Sequence, residues 1–380
     1  MVTDHYDYII IGSGLAGLQL ALAFSKDSYF NKKKIALIDP SPKTSNDKTW
    51  SFWETEPGNW NNLVYKTWKQ ASVISKKKHI QLALEPYNYK SIRSVDFYRE
   101  LKTQLKKHHN ISFLLQHVTS VKDNDKIEIH TNTNSYTANH VFDSRIPDEF
   151  STKSSQYTTL IQHFKGWVIQ TDTNAFNEEE VTMMDYRLKD GEQTTFMYVL
   201  PFSKKKALVE FTYFTEKIVD DATYESFIKQ YINNYLNIKN YEIIETETGQ
   251  IPMTNFPFDD YNTNYITKIG TAGGWVKGSS GYSFKHTEKR VNKIIDNIKS
   301  NKTPSSDLFK RKYKFYDKVF LKVLKDDNHK GEWIFQEFYS KNSIQTMFRF
   351  LDEDSTFFEE VKVMLSLFSW SFIKAFIKTL

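Results

Sequence analysis

The chain has 380 residues, of which 16% are aromatic and 13 are glycine, so it is long enough for two or three structural units with a sizeable core. It contains no cysteine, which excludes a disulfide framework, a thiolate nucleophile and a cysteine-ligated metal. The net charge is only +5 and the lysine clusters are spread along the chain, so we expect no nucleic-acid binding.

The first 40 residues combine a buried strand, a glycine turn, a helix and an acid. An apolar strand at 8–11 is followed by a glycine-rich turn, and the pattern after it predicts a helix over 15–24. In such a turn the glycines allow a tight bend, close approach of a pyrophosphate, and packing of the helix on the sheet. Asp39 ends a second apolar strand, where an acceptor for ribose hydroxyls is expected.

These features predict a dinucleotide site, with an ordinary strand-to-helix turn as the alternative. The residues assigned to the site are Gly12, Ser13, Gly14, Leu15, Ala16, Gly17 and Asp39.

The central part of the chain changes from helix-and-strand to strand alternation. A dense aromatic run, Trp50-Ser51-Phe52-Trp53, precedes a helix predicted from Ser94. Strands are then predicted at 111–115, 126–131, 141–143, 160–170, 195–200, 206–213 and 241–248, with a helix at 224–236. The later strands predict a separate antiparallel sheet.

A second strand that ends in small residues lies late in the chain. The strand at 265–269 runs into residues 270–274, and a helix is predicted over 284–299. Taken alone, this turn could equally be structural. Two such turns that bracket an inserted sheet are typical of flavin enzymes with an extended FAD, and they assign Gly270, Gly273, Gly274 and the strand-end Asp143 to cofactor binding.

We therefore predict an α/β fold: a Rossmann-like, glutathione-reductase-like FAD-binding domain, an inserted antiparallel-sheet substrate domain and a helical C-terminal region. The predicted boundaries are 1–65, 90–155 and 255–300 for the first, 66–89 and 156–254 for the second, and 301–380 for the third.

The C-terminal region ends in an uncharged stretch of 11 residues, 363–373. A membrane-spanning helix needs about 20 residues, so we expect either a helix docked on the protein or one lying in a bilayer interface. Because residues 1–5 lack a basic segment and lead directly into the first strand, no signal peptide and an intracellular location are expected.

Nine motifs in the same order along nearly the whole chain resemble the lycopene β-cyclases of bacterial carotenoid pathways. They are residues 12–16, 48–53, 143–145, 162–167, 198–203, 208–210, 251–254, 270–274 and 281–284. One departure is Thr271, which stands where many flavoproteins of the wider superfamily have an aspartate.

The resemblance implies an intramolecular lyase that needs reduced FAD, with NAD(P)H as the reductant, but leaves the oxidation state of its substrate unchanged. Its substrates would be lycopene and other acyclic carotenoid ends, which become β-ionone rings. Because these substrates are insoluble in water, the resemblance also implies a cytoplasmic protein that is peripherally associated with the inner membrane. It further implies possible contact with other carotenoid enzymes. No metal site is expected.

Glu210 is the candidate acid, because it matches the carboxylate of the family's short acidic motif. On an alternating strand it shares a face with Leu208 and Thr212, and an apolar pocket would keep its carboxyl protonated near neutral pH. The alternative is a solvated glutamate on an edge strand. Glu54 is a second candidate acid, but a glutamate beside a loop is expected to be exposed.

Aromatic rings can stabilise a carbocation without attacking it, and Trp50, Phe52 and Trp53 are the candidate walls of the substrate pocket. Plain core packing is the alternative for these three. His163 and His286 are expected to be structural.

Two other function classes remain open. One is a flavin monooxygenase, halogenase or polyprenyl reductase on the same scaffold, and the other is a non-catalytic carrier of prenyl chains.

Overall fold

The computed structural model describes residues 4–123 and 127–380. The strands are β1 (Asp4–Ile11), β2 (Ile35–Asp39), β3 (Thr49–Thr55), β4 (Lys66–Trp68), β5 (Gln70–Ile74), β6 (His79–Ala83), β7 (Tyr87–Arg93), β8 (Ile111–Leu115), β9 (Val118–Asp123), β10 (Ile127–Thr131), β11 (Ser135–Asp143), β12 (Thr159–Gln170), β13 (Glu180–Asp185), β14 (Thr195–Ser203), β15 (Lys206–Thr215), β16 (Glu242–Thr254) and β17 (Ile266–Lys268). The helices are α1 (Leu15–Lys26), α2 (Ser94–Leu105), α3 (Asp148–Lys153), α4 (Asp221–Asn234), α5 (Phe284–Lys299), α6 (Arg311–Asp326), α7 (Gly331–Lys341), α8 (Ile344–Leu351), α9 (Phe357–Ser366) and α10 (Trp370–Thr379).

The first sheet has the order β8-β2-β1-β11-β10-β9, and β17 also pairs with β11. The pairs β8/β2, β2/β1, β1/β11 and β11/β17 are parallel, whereas β10 pairs antiparallel with both β9 and β11. Because β2 and the last three residues of β1 are buried, each strand contains a continuous apolar run in the sequence. Helices α1, α2 and α5 pack together on one face of this sheet.

The second sheet has the order β16-β12-β15-β14-β13-β5-β6. Its pairs are antiparallel except for β13/β5, which is parallel. One face packs against α4, and the other packs against the C-terminal helices α6 to α9. A small third sheet, β3-β7-β4, contributes side chains to the cores of both larger units.

This architecture confirms the predicted α/β fold with an inserted antiparallel sheet and a helical C-terminal region. The position of the domain boundaries stays a prediction. The aromatic run, for which no regular element was predicted, forms β3, and β4 to β7, β9 and β13 were also missed. Lys126, the predicted first residue of one strand, lies outside the described residues, as do Met1 to Thr3.

The turn between β1 and α1 depends on two of its glycines. Gly12 has φ +99°, a conformation that side-chain-bearing residues rarely adopt, and its N–H donates to the carbonyl of Ile38 at 2.8 Å. A Cβ at Gly17 would overlap the carbonyl oxygen of Gly12, whereas a Cβ at Gly14 would meet no atom within 4 Å. Gly17 therefore permits packing, and Gly14 keeps an open surface.

Gly17 and Gly14 allow a matched test of this turn. Gly17→Ala is expected to lower the free energy of unfolding by about 1–3 kcal/mol, since the backbone of β1 and α1 must separate. Gly14→Ala should cost less than about 1 kcal/mol, because the site is open and the residue only caps α1. Chemical denaturation of both variants measures the difference, and equal destabilisation would contradict this description of the turn.

Candidate active site

A cavity of about 860 Å³ runs through all three parts of the molecule. It begins at the glycine turn after β1, continues over the face of the second sheet that carries Glu210, and reaches the C-terminal helices. Its wall is polar at the turn and increasingly aromatic and aliphatic toward α9 and α10. The cavity can therefore hold a polar nucleotide and an apolar ligand side by side.

The glycine turn forms the polar end of the cavity. Gly12, Gly14, Leu15, Ala16 and Gly17 all border it. Helix α1 begins with no side-chain cap and no acid in its first turn. Its first amide groups are free to bind an anion, as the predicted pyrophosphate contact requires.

Asp39 and Ser13 do not border the cavity. The Asp39 carboxylate accepts hydrogen bonds from the backbone N–H of Ser13 and of Ser41, both at 2.7 Å. Ser13 is almost completely buried. The Asp39 carboxylate thus holds the backbone of the glycine turn from the side away from the cavity. Its contact with ribose hydroxyls stays a prediction from the sequence.

The late turn lies against the first one, but only part of it faces the cavity. Gly270, with φ +62°, and Thr271 border the cavity, and Gly270 lies against Ala16 at the start of α1. Gly273 packs on the carbonyl of Lys268, where a Cβ would overlap it, and Gly274 has φ +68°. The last two glycines shape the turn rather than line the cavity.

Asp143 is held in an ion-pair cluster away from the cavity wall. Its carboxylate accepts two hydrogen bonds from Arg145, both at 3.0 Å, and one from Lys268 at 2.9 Å. Burial acts to raise its pKa, but these two cations lower it below the usual value. Its neighbour Ser144, which the sequence did not single out, borders the cavity instead.

Several buried polar atoms on the wall have no hydrogen-bond partner within the described part of the chain. They include Gln162 Oε1, Ser279 Oγ and Ser280 Oγ. Buried polar groups are nearly always hydrogen-bonded, so this stretch of wall has unused capacity for a polar ligand. Gln162 lies in one motif of the resemblance, whereas Ser279 and Ser280 lie between two motifs, so the sequence offers no signal that singles out these three positions.

Glu210 lies on β15 with a carboxyl that is 6% exposed. Thr212 Oγ1 donates to its Oε1 at 2.7 Å, and no cation pairs with it among the described residues. Burial raises its pKa to about 8; the charge of Glu247 adds to the rise, and the hydrogen bond from Thr212 opposes it. The carboxyl is therefore protonated at neutral pH.

The strand around Glu210 alternates as the sequence predicted. Leu208, Glu210 and Thr212 border the cavity, whereas Val209 and Phe211 belong to the core beneath α4. Strand β15 lies between β12 and β14 in the interior of the sheet. The alternative of a solvated edge-strand glutamate is wrong.

Three tyrosines form a hydrogen-bonded group beside Glu210. The hydroxyl of Tyr89 is 2.8 Å from that of Tyr198 and 3.0 Å from that of Tyr282, and Tyr198 donates to Ser51 at 2.9 Å. Tyr198 is the direct cross-strand partner of Glu210, and burial raises the pKa of all three phenols. They supply neutral aromatic faces to the cavity, and the sequence-based analysis missed them.

Of the three predicted aromatic walls, only Trp50 borders this cavity. Phe52 stacks on Phe284 with ring centroids 4.5 Å apart. Trp53 stacks on Phe348 at 4.3 Å, and its Nε1 donates to Asp352 at 2.9 Å. Phe52 and Trp53 are thus placed in packing contacts between β3 and the helices, which corrects their predicted position.

The remaining titratable candidates have structural partners. Glu54 is buried and paired with Lys90 at 3.1 Å and Lys285 at 3.0 Å, so the expectation that it is exposed is wrong. Buried His163 is hydrogen-bonded to Tyr224 and Thr215, and burial lowers its pKa to about 4. His286 is also buried, and burial lowers its pKa.

The apolar end of the cavity is bordered by α9 and α10. Its rim consists of Met364, Leu367, Phe368, Phe372, Ile373 and Phe376. Phe368 is 69% exposed and the nearby Trp370 is 81% exposed. Large side chains that are exposed together in this way mark a surface that contacts an apolar partner.

Across the described ranges, 4–123 and 127–380, the helices include none that is both long and apolar enough to cross a membrane. The same residues contain no cluster of three or more histidine or acidic side chains placed to hold a metal ion.

Solved structures with this fold include several flavoproteins. A geranylgeranyl bacteriochlorophyll reductase-like protein from Thermoplasma acidophilum matches with a TM-score of 0.60 and 13% identity, covering 100% of both chains. A mutant of the halogenase PltM in complex with FAD matches with a TM-score of 0.61 and 12% identity, covering 98% of this chain and 90% of the other. At these identities the likeness establishes the fold alone.

Two relatives are named as synthases of capsanthin/capsorubin and of neoxanthin. The capsanthin/capsorubin synthase of Citrus sinensis is 23% identical over 314 residues, which is 77% of this chain and 60% of the relative. The neoxanthin synthase of Solanum tuberosum is 24% identical over 298 residues, covering 73% of this chain and 57% of the relative. The aligned region thus spans about three fifths of the length of these relatives.

A family model described as lycopene cyclase protein matches residues 7–376, nearly the whole chain. This match confirms the resemblance that the sequence motifs suggested. The chain belongs to the lycopene cyclase family.

Proposed function

We propose that this protein is a lycopene β-cyclase that binds FAD and closes the acyclic ends of lycopene into β-ionone rings, giving γ- and then β-carotene. The observation that carries the proposal is the buried Glu210 carboxyl, which has no cation partner among the described residues and lies on the wall of a largely apolar cavity that favours its protonated form. An acid of this kind can protonate a carbon–carbon double bond, which a solvated carboxylate cannot do.

The cavity fits FAD at its polar end. Gly12, Gly14 and the start of α1 would hold the pyrophosphate, and Ser144, Gly270 and Thr271 would line its path. Gln162, Ser279 and Ser280 offer unused polar atoms for the cofactor's ring system. Ser13, Asp39, Asp143, Gly273 and Gly274 would act indirectly by shaping the turns.

Ring closure begins when Glu210 donates its proton to C2 of the terminal double bond, which leaves a tertiary cation at C1. The C5–C6 double bond then attacks C1, and loss of the proton from C6 completes the ring. Trp50 and the buried tyrosines beside Glu210 present aromatic faces that stabilise the cation, and the largely apolar lining disfavours water that would trap it.

When bound in its reduced form, FAD would supply a negative charge that stabilises the cation with no net electron transfer. NAD(P)H is the proposed source of the reducing electrons.

Replacement of the acid tests the function directly. In lycopene-producing cells the intact protein is expected to yield cyclised carotenoids, whereas Glu210→Gln should lower ring formation at least about 100-fold because the amide has no acidic proton. Pigment chromatography measures both, and the buried, isosteric amide should leave flavin binding unchanged.

The same carboxyl sets the pH dependence. Activity should decline as pH rises through about 8, the raised pKa of Glu210, because the carboxyl then loses the proton that it must donate. Unchanged lycopene with the intact protein would overturn the proposed function, and full activity of Glu210→Gln would overturn only the acid.

Reductant use separates the cyclase from the other enzymes proposed for this scaffold. A monooxygenase, halogenase or reductase consumes one reductant for each product, whereas a cyclase needs reduced flavin but should oxidise no NAD(P)H in proportion to rings formed. Anaerobic assays compare NADH or NADPH oxidation with product: a monooxygenase or halogenase needs oxygen and should form no product, whereas a reductase should oxidise reductant in proportion to product. A one-to-one ratio, or full activity with oxidised FAD, would contradict the proposal.

A purified protein that binds neither FAD nor NAD(P)H would instead favour the prenyl-carrier alternative.

We also propose that the protein collects its water-insoluble substrate at the cytoplasmic face of the inner membrane, through the rim between α9 and α10. Exposed Phe368 and Trp370 would enter the bilayer interface there, beside Lys374 and Lys378, which suit anionic lipid.

The double variant Phe368→Ser/Trp370→Ser should therefore bind anionic vesicles much more weakly in flotation assays, since two highly exposed rings at this rim are lost. Leu115→Ser is the matched control, because Leu115 is 66% exposed but lies on β8, far along the chain from this rim. Equal flotation of the double variant and the intact protein would contradict the membrane proposal.

A further inference from the structure

A second carboxyl lies on the sheet face that carries Glu210. Glu247 on β16 borders the cavity and is 8% exposed. Gly166 on the intervening strand β12 is the direct cross-strand partner of both Glu210 and Glu247. Directly paired residues point to the same face of a sheet, so the two carboxyls project into one cavity on either side of a residue that has no side chain.

The spacing of the pair suits a ring between them. Two strand separations place the two backbones roughly 9–10 Å apart. A Cβ at Gly166 would come within 3.1 Å of the Glu210 Cβ, so the glycine keeps the floor between the two acids open. A six-membered carbon ring fits into a gap of this width.

Hydrogen bonding distinguishes the two carboxyls. Glu247 accepts from the Thr49 backbone N–H at 2.8 Å and from the Thr49 hydroxyl at 2.7 Å, whereas Thr212 is the one donor to Glu210 within the described part of the chain. Donors of this kind favour the ionised form. Burial raises the pKa of Glu247, and the bonds from Thr49 and the charge of Lys48 oppose that rise. The charge of Glu245 acts in the same direction as burial.

Two further carboxyls border the cavity, and each is occupied elsewhere. Asp317 is ion-paired with Lys277 at 2.9 Å. Asp47 accepts hydrogen bonds from Ser94 at 2.8 Å and from Tyr98 at 3.0 Å. Of the four, only Glu247 shares the sheet face of Glu210.

We propose that Glu247 is the catalytic base that removes the proton from C6 at the end of ring closure. This inference rests on the proposed cyclase function. Glu210 gives one proton to C2, the C1–C6 bond forms, and the electrons of the C6–H bond become the C5–C6 double bond as Glu247 accepts the proton. The number of protons is unchanged, and transfer of one proton from Glu247 back to Glu210 restores the starting state.

The position of the ring double bond tests this assignment. Glu247→Gln keeps the shape and one acceptor oxygen for Thr49 but cannot take a proton. Ring formation should decline about 100-fold, and the residual rings should have lost a proton from C4 or from the C5 methyl group, giving ε- or γ-type ends. Chromatography with mass and absorption spectra resolves these products.

Glu245→Gln is the matched control, since it makes the same change two residues earlier on β16. Glu245 is bound to Asn46 and Arg93, does not border the cavity, and should keep the normal rate and β-type rings. A merely structural role for Glu247 would lower the yield without moving the double bond.

Near-normal β-ring formation by Glu247→Gln, or residual rings of β type alone, would overturn the assignment. If that variant forms no rings, Glu247→Asp decides: recovery of β-type rings supports proton acceptance, and no recovery overturns it. Unchanged lycopene with the intact protein would overturn the proposed function, and this inference with it.

Discussion

The burial of one carboxyl without a cation constrains the rest of this structure. Glu210 lies in an interior strand, hydrogen-bonded to one hydroxyl and facing a cavity whose walls are largely apolar. Such a group stays neutral because its charged form would lose its hydration. Two other buried carboxylates, Glu54 and Asp143, are paired with lysine or arginine. Glu210 differs from these two because, among the described residues, its donor is one hydroxyl and no cation pairs with it.

The same scaffold serves different chemistry in the structures it resembles. The nucleotide end, with its glycine turn and helix start, is a property of the fold, whereas the second sheet and the C-terminal helices line the remaining space. Under the proposed function, the chemistry is carried by a few side chains on one sheet face. In this chain they are carboxyls, phenols and aliphatic groups, a set suited to moving protons near a hydrocarbon.

The sequence predicted the parts of the fold that rest on local patterns. The glycine turn follows from the spacing of its glycines, and α2 and α5 follow from apolar periodicity. The face on which Glu210 lies follows from strand alternation. Strands such as β3 were missed because their pairing comes from distant segments rather than from their own pattern. The Tyr89 group and Glu247 were missed for the same reason, since only the strand register brings them beside Glu210. For Phe52 and Trp53, the sequence predicts an aromatic cluster but does not show whether the rings line the cavity or pack in the core.

Strand β3 links all three parts of the molecule. Thr49 at its start donates to Glu247 on the second sheet, Phe52 packs in the core of the first unit, and Trp53 binds Asp352 after α8. The C-terminal helices close the apolar end of the cavity over Glu210. The acidity of one side chain on β15 thus depends on residues more than a hundred positions further along the chain. A shortened protein that kept the nucleotide turn and the second sheet would admit water to Glu210, and its acid would become an ordinary surface carboxylate.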